Sequence, residues 1–217
     1  MPDGSAPAPE PTDRTESVPR TAQDRCPQDR ALHVLQDLRP ILAKADSQLR
    51  TILAPGPSLA NLHLDYARRG RIDQAAPVCG RAEIEIDAPV GTVWRMFSDM
   101  ARWPTWSASI HHVRVEHPLR VGSRFLWWNG PVRFLCMLSV VETDQELTWT
   151  GIGLGNRAVH RNLFSSTDSG GTRVRSEESL NGVLLPSLYS GTRLCWDLES
   201  WLTELKFAVE DRGRRTR

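Results

Sequence analysis

The chain has 217 residues, a formal net charge of +1 and four cysteines. A balance this close to neutral removes the electrostatic case for a nucleic-acid partner, and no run of about 18 apolar residues exists to insert stably in a bilayer. Cys26, Cys79, Cys136 and Cys195 form no CxxC pair, so neither a zinc site nor a disulfide framework is indicated, and a reduced, cytoplasmic protein without metal or cofactor is the expectation.

Residues 1–28 are rich in proline and poor in large aliphatics, which cannot offset the entropy of ordering, and they read as a disordered leader. Residues 29–79 read as a helical extension and linker. Within them Leu35, Leu38, Leu42, Ala45, Leu49 and Ile52 recur every three or four positions, and Pro40 kinks or divides that helix. The PGPS turn ends it, with Ser58 as N-cap of a second helix closed by Gly70. This stripe is too narrow for a core of its own. Residues 30–69 are therefore expected to dock on the main domain, as a lid if they reach a pocket mouth, or to form a homodimer contact.

The main domain is expected over residues 80–212. A strand, Arg81–Asp87, sets Ala82, Ile84 and Ile86 on one face. Pro89 and Val90 open a helix buried through Val93, Trp94 and Phe97, and the RWPTW knuckle after Asp99 makes a rigid corner. Six more strands are predicted: His111–His117, Ser123–Asn129, Val132–Glu142, Glu146–Gly151, Arg157–Ser166 and Thr172–Asn181. A last helix, Ser187–Arg212, turns Leu188, Leu194, Cys195, Leu198, Trp201, Leu202, Leu205 and Val209 to one side, and residues 213–217 form a basic tail. At about 1.5 Å per residue the helix is roughly 37 Å long, enough to cross seven strands. The fold class is α+β: a curved antiparallel sheet of about seven strands wrapped on a long C-terminal helix, with an internal hydrophobic cavity and an N-terminal helical extension.

Several chemistries are rejected. GIGLGN (Gly151–Asn156) leads into a strand and is a turn, not a phosphate loop. His111 and His112 are adjacent on a strand and point to opposite faces, so they cannot share a metal. No GxSxG elbow is present.

Pairing Arg157–Ser166 with Thr172–Asn181 about the Asp168–Gly171 turn sets Phe164 against Val174, Asn162 against Ser176, His160 against Glu178 and Ala158 against Leu180. The apolar members mark this as the inner face. His160 and Glu178 are then candidate general acid/base groups or a hydrogen-bonded pair that fixes the strands, with Asn162 and Ser176 placed to hold a carbonyl oxygen. Phe125, Trp127, Phe134 and Trp149 are candidate ligand walls, with Trp127 rather than Trp128 facing inward. Trp103 and Trp106 are candidates for a lid corner, while Trp94 and Trp201 read as core.

From about Gly80 to Asp211 the chain resembles a START-type helix-grip domain of the polyketide cyclase/dehydrase-like branch. The resemblance rests on EIDAPVGTVW, SDMARWPTW, ELTWTG, GGTRVRSEES and LESWLTELK, in that order. It implies a hydrophobic small-molecule partner and one of three roles: cyclisation or dehydration of a polyketide-like substrate, carriage of a lipid without turnover, or a co-chaperone function.

Overall fold

The computed structural model describes residues 56–182 and 188–215. The leader and the apolar stripe from Leu35 to Ile52 lie outside the described residues. Those that are described fall within one unit, Pro40–Arg217.

The first element, α1, starts as an α-helix (Leu59–Asn61), widens into a π-helix (Leu62–Tyr66) and tightens into a 3-10 turn (Ala67–Arg69). Ser58 Oγ accepts a hydrogen bond from the Asn61 backbone at 3.1 Å, which is the N-cap anticipated for it. Gly70 ends the element at φ +66°, a left-handed conformation that a side chain would strain.

Strand β1 (Val78–Ile86) leads into α2 (Val90–Ser98) and a 3-10 knuckle (Met100–Thr105). Six strands follow: β2 (Ile110–Val115), β3 (Arg124–Asn129), β4 (Val132–Glu142), β5 (Glu146–Gly153), β6 (Asn156–Ser166) and β7 (Thr172–Asn181). All pairings are antiparallel, in the order β1-β7-β6-β5-β4-β3-β2. The chain closes with α3 (Gly191–Arg215).

Helix α3 joins the two edges of the sheet. On the β1 side, Glu210 accepts from the Asp87 backbone at 3.0 Å and Lys206 Nζ donates to the Glu85 carbonyl at 2.7 Å. On the β2 side, Glu204 accepts from Ser107 Oγ at 2.6 Å and from the Ala108 backbone at 3.1 Å. Between these edges Leu194, Leu198, Trp201, Leu202, Leu205 and Val209 bury against the concave face. The helix starts later than Ser187 because Ser190 Oγ caps it, accepting from the Arg193 backbone at 3.1 Å. Leu188 therefore precedes the helix and is 80% exposed, contrary to its expected place on the buried stripe. Among the described residues no helix is long and apolar enough to cross a membrane.

The extension sits on the opposite, convex face. Leu62 and Ala67 pack on Val159 of β6, and His63 Nδ1 lies 2.9 Å from Ser139 Oγ and 3.2 Å from Thr150 Oγ1. Asn181 donates to Asp73 at 3.0 Å, and the Asp73 backbone donates to Ser179 Oγ at 3.1 Å. For residues 58–73 this corrects the lid expectation, because they cover the back of the sheet rather than the face turned to α3. It also leaves the dimer contact without support in that stretch, where Leu62 and Ala67 are buried within the chain.

Candidate functional site

The register carries the site. The hairpin pairs Phe164 with Val174, Asn162 with Ser176, His160 with Glu178 and Ala158 with Leu180, as anticipated. Continued across the sheet, one row of facing residues reads Leu138, Trp149, His160, Glu178, and the next reads Phe125, Cys136, Gly151, Ala158, Leu180. His160 lies with its ring centroid 5.4 Å from that of Trp201 on α3, so both rows line the concave face.

The second row is low in its middle. A Cβ on Gly151 would come within 2.5 Å of Cys136 Sγ, so glycine here makes room for the Cys136 side chain. Ala158, Leu180, Glu178, Trp127, Phe134 and Tyr189 all keep partial exposure on or beside it. These half-exposed side chains delimit a candidate hollow near the N-terminal end of α3. Its walls are the stacked Trp127 and Phe134 rings, 5.0 Å apart, and the Trp149–His160–Glu178 row.

Deeper in, the expected cavity is filled. Trp103 is 0% exposed, Phe125 and Trp149 are equally enclosed, and their centroids are separated by 5.5–6.1 Å. Trp103 Nε1 donates to the Phe97 carbonyl at 2.7 Å, which fixes it as the centre of the core rather than a lid. A buried ring of this size gains more from packing against other rings than from waiting for a ligand. Trp106 stacks on Trp201 at 6.1 Å and lines a recess of about 370 Å³ with Met96, Asp99, Arg102 and Val209. That recess opens on the outside of α2 at the far end of α3, away from Glu178. Trp196 is 61% exposed on the outer side of α3.

His160 and Glu178 come together as anticipated, with Nδ1 and Oε2 at 3.6 Å. Asn162 Nδ2 donates to the Leu147 carbonyl at 3.2 Å, Ser176 donates to Asn162 Oδ1, and His160 Nε2 lies 3.0 Å from Ser176 Oγ. Because the Ser176 hydroxyl proton goes to Asn162, its oxygen accepts from Nε2–H, and the Nδ1 lone pair faces Glu178. Asn162 and Ser176 thus spend their polar atoms orienting His160 instead of reaching a carbonyl.

Burial holds both partners neutral. Desolvation, helped by the nearby Asp197 charge, pushes the Glu178 carboxyl up to about 8. Desolvation also lowers His160 to about 3, against an opposing hydrogen bond from Asn162. Glu178, with a side chain 17% exposed, is the member that meets the hollow, and His160 stands behind it. Sequence reasoning missed Tyr189 and Asp197 at the rim. Tyr189 Oη donates to Asp197 at 2.5 Å and Arg193 Nε donates to it at 3.0 Å. The available signal was an acidic residue between Leu194 and Leu198 on the inward side of α3.

A curved sheet closed on one long helix defines a helix-grip protein, and solved structures of that shape are similar to this chain. A hypothetical protein from Helicobacter pylori is 17% identical with a TM-score of 0.58, over 63% of this chain and 90% of that one. A START superfamily protein from Mycobacterium smegmatis is 14% identical with a TM-score of 0.52, over 61% of this chain and 97% of that one. The di-domain ARO/CYC StfQ of the steffimycin biosynthetic pathway is 14% identical with a TM-score of 0.53, over 63% of this chain and 46% of StfQ. Identities this low establish the fold alone. Residues 77–199 match the family described as polyketide cyclase / dehydrase and lipid transport, and the chain belongs to that family. No curated protein matches the chain.

Proposed function

We propose that this protein binds a hydrophobic small molecule in the hollow at the N-terminal end of α3 and transfers protons to it in a cyclase/dehydrase-type reaction. The observation that carries this reading is Glu178, a carboxyl held protonated at the edge of an apolar trough with a neutral imidazole behind it. An acid with a value near 8 gives up its proton readily at neutral pH and is still in the donating form beforehand. In a dehydration, Glu178 would hand its proton to the departing hydroxyl, which leaves as water when the C–O bond breaks. The Glu178 carboxylate so formed would take the proton from the neighbouring carbon, so the carboxyl ends as it began, with His160 holding it in place from behind. Trp127 and Phe134 would supply a flat wall that folds the substrate.

The second reading, a carrier without turnover, is favoured by one observation: His160 is a weak base, with Nε2 already committed to Ser176. Native mass spectrometry of the purified protein, followed by incubation with a β-hydroxyketone and product analysis, tests the two. Turnover in the natural chain that is lost in Glu178→Gln with unchanged thermal stability supports the enzyme. An apolar molecule recovered unaltered, with no conversion by the natural chain, supports the carrier. Equal loss of stability and turnover would make the pair a structural one.

A further inference from the structure

The hollow has an unusual distribution of charge. Strands β6 and β7 carry Arg157, Arg161, Arg173 and Arg175, and strand alternation places all four on the convex face, opposite His160 and Glu178. The concave rows of β4 to β7 contain no lysine or arginine among the described residues. Two acids stand at the hollow, Glu178 and Asp197. The nearest cation, Arg193, is tied to Asp197 at 3.0 Å and points outward, with a side chain 63% exposed. Spare donor capacity is present as well. Trp201 Nε1 is buried without a hydrogen-bond partner, on a ring 5.4 Å from His160.

Resting on the reading that this hollow holds an apolar ligand, we propose that it sorts ligands by charge. It takes an uncharged skeleton with an oxygen that accepts a hydrogen bond, such as a ketone, and rejects the carboxylate of the same skeleton. Burying an anion with no cation to meet it costs several kcal/mol, far more than the contacts of one oxygen return. A ketone oxygen instead accepts the proton that the Glu178 carboxyl offers.

The pH dependence follows from the groups that face Glu178. His160 on β6 is neutral throughout, and burial raises both Cys136 on β4 and Tyr189 before α3. Asp197 and Arg193 on α3 form an ion pair, and Gly80, opposite on β1, carries no side chain. Of His160, Cys136, Tyr189 and Glu178, only Glu178 changes state between pH 7 and 9.

Tryptophan fluorescence titrations with dodecan-2-one and with dodecanoate, matched in chain length, test the proposal at both pH values. At pH 7 the ketone is expected to bind at least about tenfold more tightly. Its affinity should fall about tenfold between pH 7 and 9, as the donating fraction of Glu178 shrinks. That slope should vanish in Glu178→Gln, and Glu178→Lys should admit dodecanoate, with thermal melts confirming that both variants fold. Equal binding of the two ligands by the natural chain overturns the charge selection and leaves the hydrophobic-ligand reading standing. Binding of neither overturns both.

Discussion

Glu177 and Glu178 are neighbours on β7 and live in opposite worlds. Glu177 points to the convex face, where Arg175 hydrogen-bonds to it and Arg161 lies 3.7 Å away. Arg161 also grips Glu146 with two bonds of 2.9 Å, so the back of the sheet is a network of paired charges. Glu178 points to the concave face, meets no arginine, and is driven toward its protonated form by burial. One peptide unit separates an acid stabilised by partners from an acid silenced by solvent exclusion. A buried carboxyl is therefore not one kind of object: what faces it decides whether it is a strut or a reagent.

The hardest blow to this contrast is Arg161→Leu, which leaves Glu146 buried without its arginine while Glu177 keeps only Arg175. A loss of about 3–5 kcal/mol in urea unfolding is expected, since breaking a buried pair strands its charge.

Gly151→Ala attacks the front alone. The new methyl would meet Cys136 Sγ, and a loss of about 1–3 kcal/mol is expected from overpacking. Adding Cys136→Ala should return most of it, with the difference read from a double-mutant cycle.

A pH dependence sharpens the comparison most. The carboxyl of Glu178 is raised from 4.5 to about 8, so the folded chain holds that proton more tightly than the unfolded one. The stabilisation is complete below about pH 4.5 and is lost as pH climbs through 8, at no more than about 1.4 kcal/mol per pH unit. Glu178→Gln should flatten unfolding free energy across that window. His160, lowered from 6.5 to about 3, works in the other direction: its contribution is present above 6.5 and fades as pH falls toward 3.

Much of this was legible in the residues. The ends of β4 and β7 and each pair of the β6–β7 hairpin follow from alternation and a glycine turn, because one face had to be buried and a slip by one residue would have exposed it. The same argument brought His160 to Glu178 and turned Trp127 inward. What escaped was set by distance in three dimensions. Trp103 sits in a knuckle whose local pattern suits a lid, and only the converging rings of Phe125, Trp149 and Trp201 make it the core. That α1 docks on the main domain was expected, but the face it takes was not, because the polar contacts that fix it, His63 with Ser139 and Thr150, leave no periodic trace.

The ring cluster around Trp103 has a consequence for anything that enters past Glu178. It is a stop. A ligand bound as proposed would insert its leading end as far as Trp149 and no farther, and the protein would gauge the head of that ligand while leaving the rest of its length unmeasured. Such a socket would treat short and long members of one chemical series alike, and would tell apart series that differ only in how they terminate.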